Sequence, residues 1–203
     1  MIKLIKGIWV AALLLALFCI GATVADKLML QENLIRFHVV ANSDSESDQQ
    51  LKLTVRDAVI DYLQGEMGSV KDATQARAYL QNSLKNIEQV ANKTLQCSGS
   101  GYKASVSLGK EVFGRRDYET FSLPSGIYDS LRINIGSGQG KNWWCVVFPS
   151  LCMPATNDGF KERAVSAGFD SDLACTLSED RGYEIRFFLL DCLGRLENLF
   201  SIG

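Results

Sequence analysis

The sequence predicts a single α+β domain with an antiparallel or mixed sheet and two to three packed amphipathic helices. Three observations lead to this fold class. An alternating stretch near residue 35 is followed by two long stretches of helical period. A series of alternating stretches then runs from residue 102 to residue 148, and a helical pattern closes the chain. Since no linker-like composition or internal repeat divides these stretches, one domain is expected.

Composition and charge are those of a globular protein. Of the 203 residues, 47% are hydrophobic and 22% are charged, which fits neither a disordered nor a fibrous chain. Beyond Lys3 and Lys6, the chain carries 19 basic and 23 acidic residues. A nucleic-acid-binding surface needs a basic stripe, so no nucleic-acid partner is expected.

Residues 1–25 have the pattern of an export segment. Lys3 and Lys6 precede an uncharged stretch from Gly7 to Ala25, and Thr23 and Ala25 fit the small-residue positions of a signal-peptidase site. The stretch of about 19 residues also approaches the length of a membrane-spanning helix. A cleaved signal peptide and a retained membrane anchor both stay open. In either case residues 26–203 form the exported domain, which contacts a membrane only through an uncleaved N-terminal segment.

The first half of the domain is predicted to be one strand and two helices. Leu34 to Val40 alternates like a strand, and the polar residues 42–48 offer caps for a following helix. That helix should end near Gly65 or Gly68. Its apolar residues at helical spacing are Leu51, Val55, Ala58, Val59 and Tyr62. A second helix should start near Thr74. Its apolar stripe is Leu80, Leu84, Ile87, Val90, Ala91 and Leu95.

The second half is predicted to be mainly strands. The candidates are Tyr102–Leu108, Tyr118–Leu123, Tyr128–Ile135 and Trp143–Phe148. The last is a continuous apolar run, which predicts burial on both faces. The glycines at 136, 138 and 140 lie between the last two strands and predict a hairpin turn. Residues 155–176 are expected to be loop with a short helix. A terminal helix is expected from about Asp180, with a strand through Ile185, Phe187 and Leu189 as the alternative.

Two pairs of residues near the fourth strand suggest specific contacts. If the chain turns back after Phe148-Pro149, Cys145 and Cys152 face each other within disulfide range; two buried thiols are the alternative. Trp143 and Trp144 are adjacent on a strand and should point to opposite faces. An exposed tryptophan is a frequent binding anchor, whereas burial of both is the alternative.

No catalytic residue, metal ion or cofactor is expected. The segment after the first strand alternates oxygen ligands as at the start of a calcium loop, but Ser47 and Leu53 replace the glycine and glutamate that such a loop needs. His38 is the only histidine and no Cys-x-x-Cys spacing occurs, which disfavours a zinc site and a histidine-activated nucleophile. A cell-envelope hydrolase acting on peptidoglycan through two carboxylates stays open as an alternative function.

Two blocks of the sequence resemble the stage II sporulation protein R family of endospore-forming bacteria. The first is Ile35-Arg36-Phe37-His38-Val39-Val40-Ala41-Asn42-Ser43-Asp44-Ser45, followed by Asp48-Gln49, Leu51-Lys52 and Val55-Arg56-Asp57. The second is Pro124-Ser125-Gly126, Tyr128, Leu131-Arg132, Ile135-Gly136, Asn142-Trp143-Trp144-Cys145-Val146-Val147-Phe148-Pro149 and Leu151-Cys152. The blocks follow the family's order. The chain departs from the family at Ser137-Gly138-Gln139-Gly140, where acidic residues are common, and matches weakly after Cys152.

This resemblance implies an exported signalling protein that is not an enzyme. Family members are made in the forespore and exported across its membrane into the intermembrane space. There they trigger a membrane-embedded aspartic protease of the mother cell, which processes a sigma-factor precursor. The candidate partner-contact residues are Arg36, His38, Asn42, Asp44, Asp48, Arg56, Trp143 and Trp144. For Arg36, Asn42 and Asp44 the alternative is local, namely capping and turn bonds that shape the junction between strand and helix.

Overall fold

The computed structural model describes residues 2–118, 121–149, 165–166, 169, 171–178 and 185–201. The helices are α1 (Ile2–Asn33), α2 (Glu46–Glu66), α3 (Ala73–Cys97), α4 (Ser171–Ser178) and α5 (Ile185–Ser201). The strands are β1 (Ile35–Val40), β2 (Ala104–Phe113), β3 (Arg116–Asp117), β4 (Ser122–Leu123), β5 (Gly126–Ile135) and β6 (Asn142–Phe148). The predicted α+β class with a mixed sheet is confirmed.

The main sheet has the strand order β2-β5-β1-β6. Strand β1 runs parallel to β5 and antiparallel to β6, while β2 runs antiparallel to β5. The register shows which residues lie side by side at each end of the sheet. The loop end is formed by Val40, Ala104, Ile135 and Asn142, and the α1 end is formed by Ile35, Phe113, Gly126 and Phe148.

Helices α2 and α3 pack against each other and over one face of the sheet. Ser45 caps α2 by accepting a hydrogen bond from the backbone N–H of Asp48, and Asp72 caps α3 by accepting one from Gln75. The predicted stripe of α3 is confirmed. Its members Leu80, Ile87, Ala91 and Leu95 are fully buried, and Leu84 and Val90 are partly buried against the core. The apolar residues at helical spacing on α3 are therefore part of one continuous hydrophobic core.

Three of the predicted strand features are wrong. The stretch Tyr118–Leu123 is not one strand, because β3 and β4 form a small separate hairpin that pairs Arg116 with Leu123. The glycine segment is not a hairpin turn, because β1 lies between β5 and β6 and the segment crosses the end of β1. Strand β6 is not buried along its whole length, because it is an edge strand whose first three residues are exposed or partly exposed.

The predicted terminal helix is confirmed over Ile185–Ser201, and α4 provides a short helix near the end of the segment predicted to be loop. Most of residues 150–170 and residues 179–184 lie outside the described residues. Cys152 is among them, so the Cys145–Cys152 disulfide stays a prediction.

Helix α1 contains the predicted apolar segment and continues into the domain. The helical stretch Ile5–Asn33 is long and apolar enough to cross a membrane, and an 18-residue window within it has a mean hydropathy of 2.5. The large apolar side chains from Ile5 to Ile20 are exposed. The last turns of α1 instead pack on β5 and α5, and Leu30 is fully buried. Residues 26–33 thus belong to the packed domain, whether residues 1–25 are a cleaved signal peptide or a retained membrane anchor.

Candidate functional site

The polar segment after β1 is hydrogen-bonded to the glycine segment after β5. The backbone N–H of Ser137 donates to Oδ1 of Asn42 at 2.9 Å, and the Ser137 hydroxyl donates to the Asn42 carbonyl at 2.8 Å. Lys141 N–H donates to Oδ1 of Asp44 at 2.7 Å, and Gly140 N–H donates to the Ala41 carbonyl at 2.8 Å. We call residues 41–48 and 136–141, joined in this way, the interlock. It forms the loop end of the sheet.

The glycines of the interlock are required by this close contact. Gly136 has φ +59°, and a Cβ there would overlap the side chain of Asn42. A Cβ at Gly140 would overlap the backbone of Ser43. The spacing that resembled a hairpin turn therefore reflects the approach of two distant segments.

Asp48 lies on the inner side of the interlock, with 7% of its surface exposed. It accepts hydrogen bonds from Ser43 Oγ at 2.6 Å and from Asn42 Nδ2 at 2.9 Å. The bond from Ser43, followed by that from Asn42, lowers the pKa of Asp48 below its ordinary value against the opposing effect of burial. Asp48 is therefore held as a carboxylate that orders the segment before α2.

Lys52 supports the same site from α2. Its side chain is 5% exposed, and Nζ donates to the Lys141 carbonyl at 3.0 Å and to Oε1 of Gln49 at 2.6 Å. Burial lowers the pKa of Lys52. The sequence interpretation missed this residue. Its position three residues before Val55 and seven before Val59 places it on the buried stripe of α2 and would have identified it.

The two tryptophans of β6 point to opposite faces of the sheet, as strand alternation predicts. Trp143 lies on the face of α2 and α3, where its ring meets Phe37 edge-on at 6.0 Å between centroids. The Arg56 guanidinium from α2 lies 4.7 Å above the Trp143 ring. Both side chains are partly exposed, so this cation–π pair is accessible from outside.

Trp144 is the middle of a stack on the other face. Its ring lies parallel to His38 at a centroid distance of 4.7 Å, and the Arg116 guanidinium lies 4.6 Å from the ring centroid. Trp144 is partly exposed. The stack therefore connects a surface arginine to the buried His38.

His38 is 2% exposed and is fixed by a carboxylate. Its Nε2 lies 2.6 Å from Oε2 of Glu111, and the other oxygen of Glu111 accepts from Arg132 at 3.3 Å. Burial alone would raise the pKa of Glu111, but the hydrogen bond and charge of His38, with help from Arg132, lower it. Nothing in the sequence near His38 indicates Glu111, which lies on another strand.

Arg36 is fully buried on the same face. Its guanidinium lies 4.0 Å from the Phe113 ring centroid and 5.2 Å from that of Tyr128, and it donates to the Tyr118 hydroxyl at 3.1 Å. Within the described part of the chain, Nε and Nη1 of Arg36 have no acceptor. Burial raises the pKa of both Tyr118 and Tyr128, which keeps the phenols neutral beside the guanidinium.

The eight candidate residues thus lie in three places. Asn42, Asp44 and Asp48 form the interlock; Arg56 and Trp143 pair on the helix-covered face; and Arg36, His38 and Trp144 lie on the opposite face. Asp44 is exposed, whereas Arg36, His38 and Asp48 are buried. Asn42 makes one bond of the local kind, to Asp48, whereas the bond to Asp44 comes from the distant Lys141. Contact with a partner stays a prediction for all eight.

Asp44 and Asp48 both accept hydrogen bonds from the chain itself. In the described residues, no group of three or more His, Cys, Asp or Glu side chains is placed to hold a metal ion. What the site offers is a fixed surface of hydrogen-bonded loops and a partly exposed tryptophan.

Comparison with known proteins gives one consistent family. Residues 31–158 match the family model described as stage II sporulation protein R. The chain is similar to the stage II sporulation protein R of Bacillus subtilis (strain 168), with 34% identity over 134 residues. That match covers 66% of this chain and 60% of the relative, so the chain spans less than two thirds of the relative's length. No solved structure matches.

Proposed function

Because the chain belongs to the stage II sporulation protein R family, a family of sporulation proteins, we propose that it is an exported activator of a membrane-embedded aspartic protease. The exported domain acts as a ligand in the intermembrane space and has no catalytic step of its own. The activated protease of the mother cell then processes a sigma-factor precursor.

The position of the interlock carries this proposal. The family-like blocks come from segments that are about 95 residues apart, yet they meet at one end of the sheet. Helix α1 leaves from the other end, next to Ile35. With a rise of about 3.3 Å per residue, the strands hold the interlock roughly 20–30 Å from α1. Such an arrangement suits a domain that starts at one membrane and presents its signalling end to another.

A ligand of this kind should be rigid where it binds. A ligand activates its receptor by binding one receptor state better than the other, and a preformed surface loses less conformational entropy on binding. The interlock is held in one form by the hydrogen bonds that residues 136–141 donate to residues 41–44, by the glycine contacts and by the buried Asp48 and Lys52.

The exposed groups at and beside the interlock define the proposed contact surface. Asp44 supplies a surface carboxylate, and Arg56 with Trp143 supplies a partly exposed cation–π pair at the start of β6. Tryptophan and arginine dominate the binding energy of many interfaces. Asn42 and Asp48 act through this surface by holding it in place, whereas Arg36 and His38 lie buried on the opposite face of the sheet.

Export depends on α1 in this proposal. Its exposed apolar residues and its two lysines before the apolar segment suit translocation of everything after it, whether or not the segment is cleaved. The protein therefore acts outside the compartment in which it is made.

Adding residues 26–203 to two substrates separates this proposal from a cell-wall hydrolase. We expect no release of soluble fragments from purified peptidoglycan, and we expect cleavage of the precursor in membranes that carry the protease. Fragment release from peptidoglycan without any effect on the protease would replace the proposal by the hydrolase.

A further inference from the structure

Three polar side chains of helix α5 form hydrogen bonds with the rest of the domain. Asp191 is 5% exposed and accepts hydrogen bonds from Ser125 through the backbone N–H at 2.9 Å and the hydroxyl at 2.7 Å. Asn198 donates to the Phe113 carbonyl at 2.9 Å, and Glu197 accepts from the backbone N–H of Ile127 at 3.3 Å. These hydrogen bonds, together with Leu190, which is fully buried in the core, dock the helix on the α1 end of the sheet.

Gly194 fixes which face of α5 meets the domain. A Cβ at this position would overlap the backbone of Ser125, so the helix lies directly against that backbone. Asp191, Gly194 and Asn198 are spaced by three and four residues and share this inner face.

The outer face of α5 is apolar. Phe188 and Leu196 are each 51% exposed, Leu199 is 72% exposed and Phe200 is 85% exposed. Phe188, Leu196 and Leu199 lie eight and three residues apart, which puts them on one side of the helix. A helix on the surface of a soluble domain normally has mainly polar residues on its outer side, whereas α5 has apolar residues there as well as the buried Leu190 on its inner side. This outer face therefore needs a non-aqueous partner.

Two contacts attach α5 to α1. Glu197 forms an ion pair with Lys27 at 3.0 Å and accepts a hydrogen bond from Gln31 at 2.6 Å. Exposed apolar side chains continue along α1 to Val24 and Leu28, within one helical turn of Lys27. The apolar face of α5 is thus held beside the helix that has the length and composition to enter a membrane.

We propose that the outer face of α5 binds the lipid surface of the membrane from which α1 emerges. Helices that display a continuous apolar side bind at the boundary between headgroups and acyl chains. Arg195 lies close to this side. Its Nε pairs with Asp191 at 2.8 Å, while the side chain remains 67% exposed and suits anionic headgroups. This second contact would keep the domain against the membrane, with the interlock directed away from it, even after removal of the export segment. The inference does not depend on the signalling role.

Photo-crosslinking of the full chain tests this contact. Benzoylphenylalanine is introduced in place of Leu199 or Phe200, and the protein is reconstituted into vesicles of phosphatidylethanolamine and phosphatidylglycerol. The matched control carries the probe in place of Tyr102, an aromatic residue that is 40% exposed and lies near the loop end. Because all three side chains are exposed, the probe requires no repacking, which unchanged melting curves would verify.

After irradiation, mass spectrometry should find phospholipid adducts at positions 199 and 200 in several-fold excess over position 102. Equal lipid labelling at the three positions would overturn the proposal. So would crosslinks from positions 199 and 200 to a second copy of the chain in place of lipid, which would assign this face to self-association.

Discussion

Ser137 donates two hydrogen bonds to Asn42, one from its backbone N–H to the Asn42 side chain at 2.9 Å and one from its hydroxyl to the Asn42 carbonyl at 2.8 Å. Asn42 also donates to Asp48 at 2.9 Å. One amide side chain therefore connects the end of β1, the crossing glycine segment and the first turn of α2.

Replacing Asn42 by Ala should lower the free energy of unfolding by about 1–3 kcal/mol, because the partners of the amide lose their hydrogen bonds. Urea unfolding measures the change. The control is Gln50→Ala, a change at an exposed position of α2. Equal stability of the Asn42 variant and the wild type would show that the interlock does not depend on this side chain.

Two glycine substitutions should act in opposite directions. Gly136→Ala forces a Cβ into Asn42 at φ +59°, and it should destabilise the protein by about 1–3 kcal/mol. Gly65→Ala in α2 meets open space and should raise stability by about 0.5–1 kcal/mol, since alanine favours the helix. The two unfolding midpoints should therefore move apart. Shifts of the same sign would contradict the assigned role of Gly136.

Local sequence was sufficient to predict the helices. The caps at Ser45 and Asp72 and the apolar stripe of α3 lie within a few residues of the backbone that they organise. The strand order was not predictable in the same way. The insertion of β1 between β5 and β6 joins residues about a hundred positions apart, so the glycine segment was misread as a hairpin.

The site was predictable in residue types but not in the roles of its residues. Asn and Asp after a strand are recognisable as capping and turn residues, and the Trp143-Trp144 pair stands out. The burial of Arg36 and His38 depends on Phe113, Glu111 and Tyr118, which come from β2 and the segment after it. No pattern near residue 36 carries that information.

Acid should destabilise the protein partly through Asp48. Its pKa in the folded protein is below the ordinary value of 3.8, so the carboxylate stabilises the fold above that value. The contribution is lost as the pH falls through the folded pKa, and stability should decline from about pH 5 downward. Asp48→Asn should make this decline shallower than in the wild type when urea midpoints are measured at successive pH values. Parallel curves for the two proteins would exclude Asp48 as a contributor.

Substitutions of Asp44 distinguish a role in folding from a role in partner contact. Asp44→Asn keeps an oxygen to accept the bond from Lys141 N–H but removes the surface charge. We expect its unfolding free energy to stay within about 0.5 kcal/mol of the wild type, while activation of the protease falls. Asp44→Ala should lose both. Wild-type activation by the Asp44→Asn variant would show that Asp44 acts only through its hydrogen bond from Lys141.

Reconstitution tests the central claim most directly. Residues 26–203 retain Lys27, Leu30 and Gln31, which pack within the domain. This domain, first shown to be folded by a cooperative melting curve, is added in increasing amounts to membranes that carry the aspartic protease and its sigma-factor precursor. The account predicts saturable cleavage of the precursor that requires the domain and disappears when the protease's catalytic aspartate is replaced. No cleavage by a competent protease in the presence of the folded domain, with or without residues 1–25, would contradict the proposed function.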